Sequence, residues 1–142
     1  MNKPLAVSIV VAAVVFGVSD PVSRLMAEEG ASTQAAARPV AESLYSGESE
    51  VVPGADVLVS RVTIPPNSGL PWHWHPGEEY SYVLAGSATL SMEGGEEVSY
   101  SAGEFMMVPH RRIHMAETGD EGATVLVFRV HQHGQPERVM IE

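Results

Sequence analysis

Residues 79–108 read EYSYVLAGSATLSMEGGEEVSYSAGEFMMV. Within this stretch, short runs rich in β-branched and aromatic residues alternate with glycine breaks. The runs are Glu79–Leu84, Ser87–Met92, Glu97–Ser101 and Glu104–Val108; the breaks are Ala85-Gly86, Glu93-Gly94-Gly95 and Ala102-Gly103. Strands of about five residues at spacings near ten predict antiparallel pairing through tight turns, and Gly94-Gly95 between two such runs is a hairpin signal. The same texture extends outward, to Asp56–Ile64 upstream and to Ile113–Glu117 and Ala123–His131 downstream. Pro65–Gly69, Pro76-Gly77, Pro109–Arg112 and Thr118–Asp120 punctuate these segments. No helical period appears between Val51 and His131, so the expectation is an all-β antiparallel sandwich or small barrel.

Immediately before this stretch stands His73-Trp74-His75-Pro76-Gly77-Glu78-Glu79, and His114 follows after the Pro109 turn. On a strand, residues i and i+2 point to one face about 6–7 Å apart. His73 and His75 can therefore converge on one ion, whereas on a helix they would diverge. Parity also places Glu79, Ser81 and Val83 on one face, and His114, Ala116 and Thr118 on one face. Imidazole and carboxylate donors without thiolate favour a borderline divalent first-row metal. Glu78 is the rival carboxylate, because the Pro76-Gly77 turn interrupts parity between the histidines and the next strand.

With these residues in register, the chain resembles a small single-domain cupin. The first motif of that family, H-x-H-(x)3-E-(x)6-G, is matched by His73, His75, Glu79 and Gly86. Its opening glycine, normally separated from the first histidine by five residues, is displaced here to Gly69, with three residues between. In the second motif, G-(x)5-P-x-G-(x)2-H-(x)3-N, Gly103, Pro109 and His114 match, while Arg111 replaces the second glycine and Thr118 the asparagine. The resemblance spans roughly Val57 to Pro136. It implies a jelly-roll-like antiparallel β-barrel holding one divalent transition metal (Fe, Mn, Ni, Co, Cu or Zn) on His73, His75, Glu79 and His114. Four donors would leave coordination positions open for water, oxygen or substrate. The activity implied is that of a metal-dependent, dioxygenase-like enzyme acting on a small organic molecule, with Glu79 doubling as proton acceptor. A metal-dependent lyase or isomerase, and a non-catalytic exported binding or sensor protein, are the alternatives.

Composition narrows the partners. The 142 residues carry a formal charge of −10, and Lys3 is the only lysine among eight basic residues. Without a basic stripe, nucleic-acid binding through phosphate neutralisation is not expected. The absence of cysteine excludes thiolate ligands, disulfides and thiol catalysis. Lys3 followed by the uncharged run Leu5–Val18 matches a signal peptide, since fourteen apolar residues fall short of the roughly 20 a spanning helix needs. An uncleaved membrane anchor is the competing reading. Gly17 and Ser19 supply small residues before Asp20, and Ala35-Ala36-Ala37 repeats the small-residue pattern farther on. The organisation expected is a signal segment or anchor at 1–19, a linker at 20–41 and the β-domain at 42–142, exported to the periplasm or medium.

The remaining residues carry weaker signals. His110 belongs to an exposed turn, and Arg111-Arg112, the only basic pair, is either solvated or a clamp for a substrate carboxylate. His131 and His133 read as surface residues or part of a dimer edge. Tyr80, Tyr82 and Tyr100 are expected to pack between sheets, and Met92, Met106, Met107 and Met115 to fill the core. Trp72 and Trp74 are expected to cover the barrel or shape its mouth. Homodimerisation is expected because a domain of about 100 residues leaves strand edges to be covered, and the long apolar runs Asp56–Ile64 and Ala123–His131 suit edge-to-edge or sheet-to-sheet pairing.

Overall fold

A computed structural model describes residues 37–141 except Glu96. The expected signal segment, and the linker as far as residue 36, lie outside the described residues. All regular structure described is β: β1 (Val40–Glu48), β2 (Ala55–Ile64), β3 (Gly69–Trp74), β4 (Gly77–Met92), β5 (Glu97–Ser101), β6 (Phe105–Val108), β7 (His114–Glu117), β8 (Ala123–Gln132) and β9 (Val139–Met140). Every pairing is antiparallel. The strands follow the path β1-β2-β8-β4-β7-β3-β9, with β5 and β6 also paired to β4, so that one antiparallel sheet curls into a half-barrel.

β4 makes the curl. Glu79–Leu84 and Ser87–Met92, expected as two strands, form one strand of 16 residues. Its first half pairs with β8 and β6, its second with β5 and β7. The register slips between Val83 and Ala85, and Gly86 takes a φ of 70°. The glycine thus bends the strand rather than ending it. A Cβ there would run into the Gly122 carbonyl, so both space and backbone conformation demand glycine.

The inner face is apolar by period-two alternation. In β8, Ala123, Val125 and Val127 are buried while Phe128 is exposed; they join Val62, Ile64, Val83, Ala88, Leu90, Met106 and Val108 in the core. Several outward expectations need correction. Tyr82 and Met107 face out, 44% and 43% exposed, because they fall on the opposite parity from Ser81 and Met106. Only Tyr100 of the three tyrosines packs against the core. β1 escaped the strand expectation, because it lacks apolar alternation and is almost wholly exposed; of β3 only the part around His73 was read as a strand, since the prolines flanking and within it resemble a loop. β1 also covers β2, and β8 lies between β2 and β4. Both strands are therefore interior to the sheet, which leaves sheet-to-sheet rather than edge-to-edge pairing open to them.

Candidate metal centre and its relatives

His73 and His75 are carried by β3 and the turn that follows it, and His114 opens β7, directly opposite His73 in the register. All three are buried, 2–3% exposed. Each Nδ1 is spent on a backbone carbonyl: His73 on Pro71 O at 2.6 Å, His75 on Glu137 O at 2.6 Å and His114 on Arg112 O at 2.9 Å. A carbonyl only accepts, so each Nδ1 carries the proton and each Nε2 is left with a lone pair. The three rings converge, with candidate ligand atoms all within 4.8 Å of one another. Carbonyl-fixed tautomers behind convergent lone pairs are the usual outer-shell arrangement of metal-binding histidines.

Burial lowers the pKa of His73 from 6.5 to about 4 and also lowers that of His114. Both rings are thus neutral near pH 7, the form a metal requires.

Glu79, expected as the fourth ligand, stands beside this set with Oε2 3.1 Å from His75 Nε2. Its oxygens have other partners as well. Oε1 accepts from Ser81 Oγ at 3.0 Å, and Oε2 accepts from Arg129 Nε at 2.8 Å. Burial pushes the Glu79 carboxyl up, but a proton on the adjoining His75 ring, where present, and the Arg129 guanidinium bonded to Oε2 outweigh it and hold it well below the ordinary carboxylate range. Although close to Glu79, His75 Nε2 has no hydrogen-bond partner. In the neutral ring with its proton on Nδ1, a lone pair faces an anionic oxygen, and the two repel unless a proton or a metal cation lies between them. This orphaned buried nitrogen, together with the all-nitrogen and oxygen donor set, fits a divalent metal. The rival carboxylate Glu78 points away and accepts from Tyr80 Oη at 2.7 Å.

Two contributors went unanticipated. Arg129 lies directly opposite Glu79 in the β4–β8 register, is 8% exposed, and also donates from Nη1 to Glu137 Oε1 at 2.6 Å. Its parity with Val125 and Val127 was the available signal. Glu137 serves through both carbonyl and carboxylate, from a segment whose strand partner is β3: His73 pairs with Met140 and Trp74 with Val139. Nothing local in the sequence marks that long-range closure.

His131 shares the inward parity of Arg129 and is 2% exposed, its ring nitrogens 3.0 and 3.1 Å from the Gln132 and Pro136 carbonyls. This corrects its expected surface position. His133 is exposed and pairs with Asp56 at 3.0 Å. His110 is exposed.

Arg111 and Arg112 are exposed and lie outside the cavity wall, and Trp74 sits beneath the Arg111 guanidinium, 5.5 Å from ring centroid to Cζ. Arg111 keeps the left-handed turn of the glycine it replaces, with φ 60°, and its amide donates to His75 O at 3.2 Å. Thr118, in place of the family asparagine, donates from Oγ1 to Pro65 O at 2.6 Å and accepts from Ser68 N at 3.3 Å, which ties the loop before β3 to the end of β7.

His73, Glu79, His114 and Arg129 line an interior cavity of about 180 Å³ whose remaining wall is chiefly aliphatic.

Comparison with known proteins agrees with this fold. Residues 60–129 match the family model described as cupin domain. The DMSP lyase DddQ from Ruegeria pomeroyi DSS-3 is similar at 26% identity and a TM-score of 0.62, over 72% of this chain and 51% of the lyase. This chain therefore spans about half the length of that lyase. The polyketide cyclase RemF from Streptomyces resistomycificus is similar at 25% identity and a TM-score of 0.52, over 61% of this chain and 62% of the cyclase. A cupin-like protein from Thermotoga maritima, at 17% identity and a TM-score of 0.59 over 72% of this chain and 75% of its own, shares the fold. No curated protein matches the chain. Residues 60–129 of this chain are a cupin domain.

Proposed function

We propose that the protein is a metal-dependent enzyme of lyase or cyclase type acting on a small organic molecule. The observation that carries the reading is the buried His75 Nε2 without a partner, beside two further convergent imidazoles and an ionised Glu79. His73, His75 and His114 would hold one divalent transition metal. When bound, such a metal supplies Lewis acidity that polarises a substrate oxygen and acidifies the adjacent C–H. Glu79 is the carboxylate nearest that position and takes the proton. Arg129 keeps it ionised and aimed, at some cost in basicity, so its action depends on a hydrogen already acidified. The aliphatic wall excludes water from the reacting end. Similarity to a DMSP lyase and a polyketide cyclase at 25–26% identity supports non-oxidative chemistry.

A dioxygenase on the same histidines is the second reading. It is favoured by the donor set, since three imidazoles, with or without one carboxylate, leave coordination positions open to oxygen as well as to substrate. Metal analysis of the purified protein, followed by turnover of DMSP and of β-dicarbonyl compounds under nitrogen and under air, separates the two. The lyase reading expects stoichiometric metal and turnover that persists without oxygen. Oxygen consumption stoichiometric with product would establish the dioxygenase, and metal-free active protein would overturn both.

A further inference from the structure

The interior is sorted into layers by strand register. In the first layer Glu79 faces Arg129 and His73 faces His114. Two residues along, or three in β3 where the register slips, Ser81 pairs with Val127, while Leu70 and Leu90 both pair with Ala116. Two further along, Val125 pairs with both Val83 and Val62. Polar groups therefore collect at one end of the cavity and aliphatic side chains at the other. Charge at the polar end balances: Glu79 and Glu137 against Arg129 and Arg138. A dication held by the imidazoles would leave positive charge for a ligand to neutralise.

The size is equally restrictive. An apolar cavity of roughly 150 Å³ holds benzene, and this one measures about 180 Å³. Its wall includes Pro39–Ala41 at the start of β1 and Glu137-Arg138 just before β9, the two ends of the strand path, so it reaches the surface along the seam between them. Arg138 is exposed at that rim, and the arginine ion pairs among the described residues involve only Arg61 and Arg129. It stands ready to meet an incoming anion on an otherwise acidic chain.

We infer that the site takes a small amphiphile, with an oxyanion head of carboxylate or enolate type in the histidine layer and an apolar body of about six carbon atoms between Val62, Leu70, Leu90 and Val125. This deepens the function proposed above and rests on it. Multi-ring compounds and sugar nucleotides exceed about 180 Å³ and would have to extend out through the seam.

Titration calorimetry of zinc-loaded protein, with zinc content measured on the same sample, tests the inference against straight-chain carboxylates of two to ten carbons. The Kd should fall about fourfold per added methylene up to about six carbons and then stop falling. Hexan-1-ol should bind at least about tenfold more weakly than hexanoate, the lower end of a charge-assisted contact. In Val125→Phe, which fills the apolar end, the break should move to shorter chains by two carbons or so while zinc content holds; the unmutated series decides the matter even if that variant fails to fold. Stoichiometric zinc with a flat chain-length profile, or with hexanol equal to hexanoate, would overturn the inference alone. Failure to retain zinc alongside a steep profile would instead overturn the metal reading and support the apolar body site.

Discussion

At the residue scale, Glu79 and Arg111 give separable tests. Gln at position 79 keeps shape and an oxygen donor but accepts no proton at neutral pH. Glu79→Gln should retain metal on three imidazoles while turnover falls roughly 10²–10⁴-fold, the usual worth of general-base help. Metal content and kcat measured on one preparation check this, and unchanged turnover with metal retained would leave Glu79 no role as a base. Arg111 sits in a left-handed conformation that costs a non-glycine residue about 1–2 kcal/mol, offset by a cation–π contact worth about 0.5–1 kcal/mol at an exposed site. Arg111→Gly removes both effects and should leave Tm unchanged or raised by a few degrees. Arg111→Ala keeps the strain without the contact and should lower it by roughly 4 °C. Calorimetry showing alanine at least as stable as glycine would contradict this account.

At the element scale, the segment after β8 reaches back across the site. Its Glu137 carbonyl fixes the His75 tautomer and its carboxylate engages Arg129, while β9 pairs with β3. Truncation after His133 should weaken metal affinity by about 10–100-fold, the typical cost of losing such outer contacts, with far-ultraviolet circular dichroism still showing a β fold. Competition with a chelator measures the affinity, and an unchanged value would make the segment a bystander. Much of this scale was legible beforehand. Period-two alternation identifies β2 and β8 because each buries one face. β1 and β3 lacked that signal, since one is exposed along most of its length and the other is bounded by prolines. β4 read as two strands because a bend and a turn both use Ala-Gly, and only the partners on either side of Gly86 tell them apart.

At the scale of the whole molecule, the buried histidines make stability depend on pH. The folded pKa of His73 lies below the ordinary 6.5, at about 4, so between these values the unfolded chain binds more protons. Stability of the chelated protein should therefore be full above about pH 6.5, decline as pH falls, and lose no more to this group below about pH 4. Urea midpoints across pH 4–8 measure it, and a flat profile would mean that the ring titrates in the fold as it does in the unfolded chain. Excess metal should shift the whole curve upward by mass action. Assembly is the second expectation at this scale. With β2 and β8 interior, a homodimer would use the outer sheet face, where Tyr82, Phe105, Met107 and Phe128 are 40–58% exposed and Tyr82 pairs with Phe105. Contiguous apolar surface of this kind marks association sites. Light scattering at tens of micromolar should report a dimer that Phe105→Glu converts to monomer; a monomeric wild type would reject the pairing.

Period and spacing in the chain by themselves determined the β class, the Gly-Pro punctuation and the shared face of His73 and His75, because these depend on local backbone geometry. The motif register around Glu79 and His114 determined the family. Tertiary structure alone decided what surrounds those side chains. Arg129 meets Glu79 only because β8 pairs with β4 in one register. Glu137 reaches His75 across 62 residues only because β9 closes onto β3. His131, which reads as a surface residue at the end of a strand, is enclosed when the chain after it folds back. Hydrogen bonds and desolvation act through space between distant segments, so tautomer, ionisation and cavity shape were settled by packing.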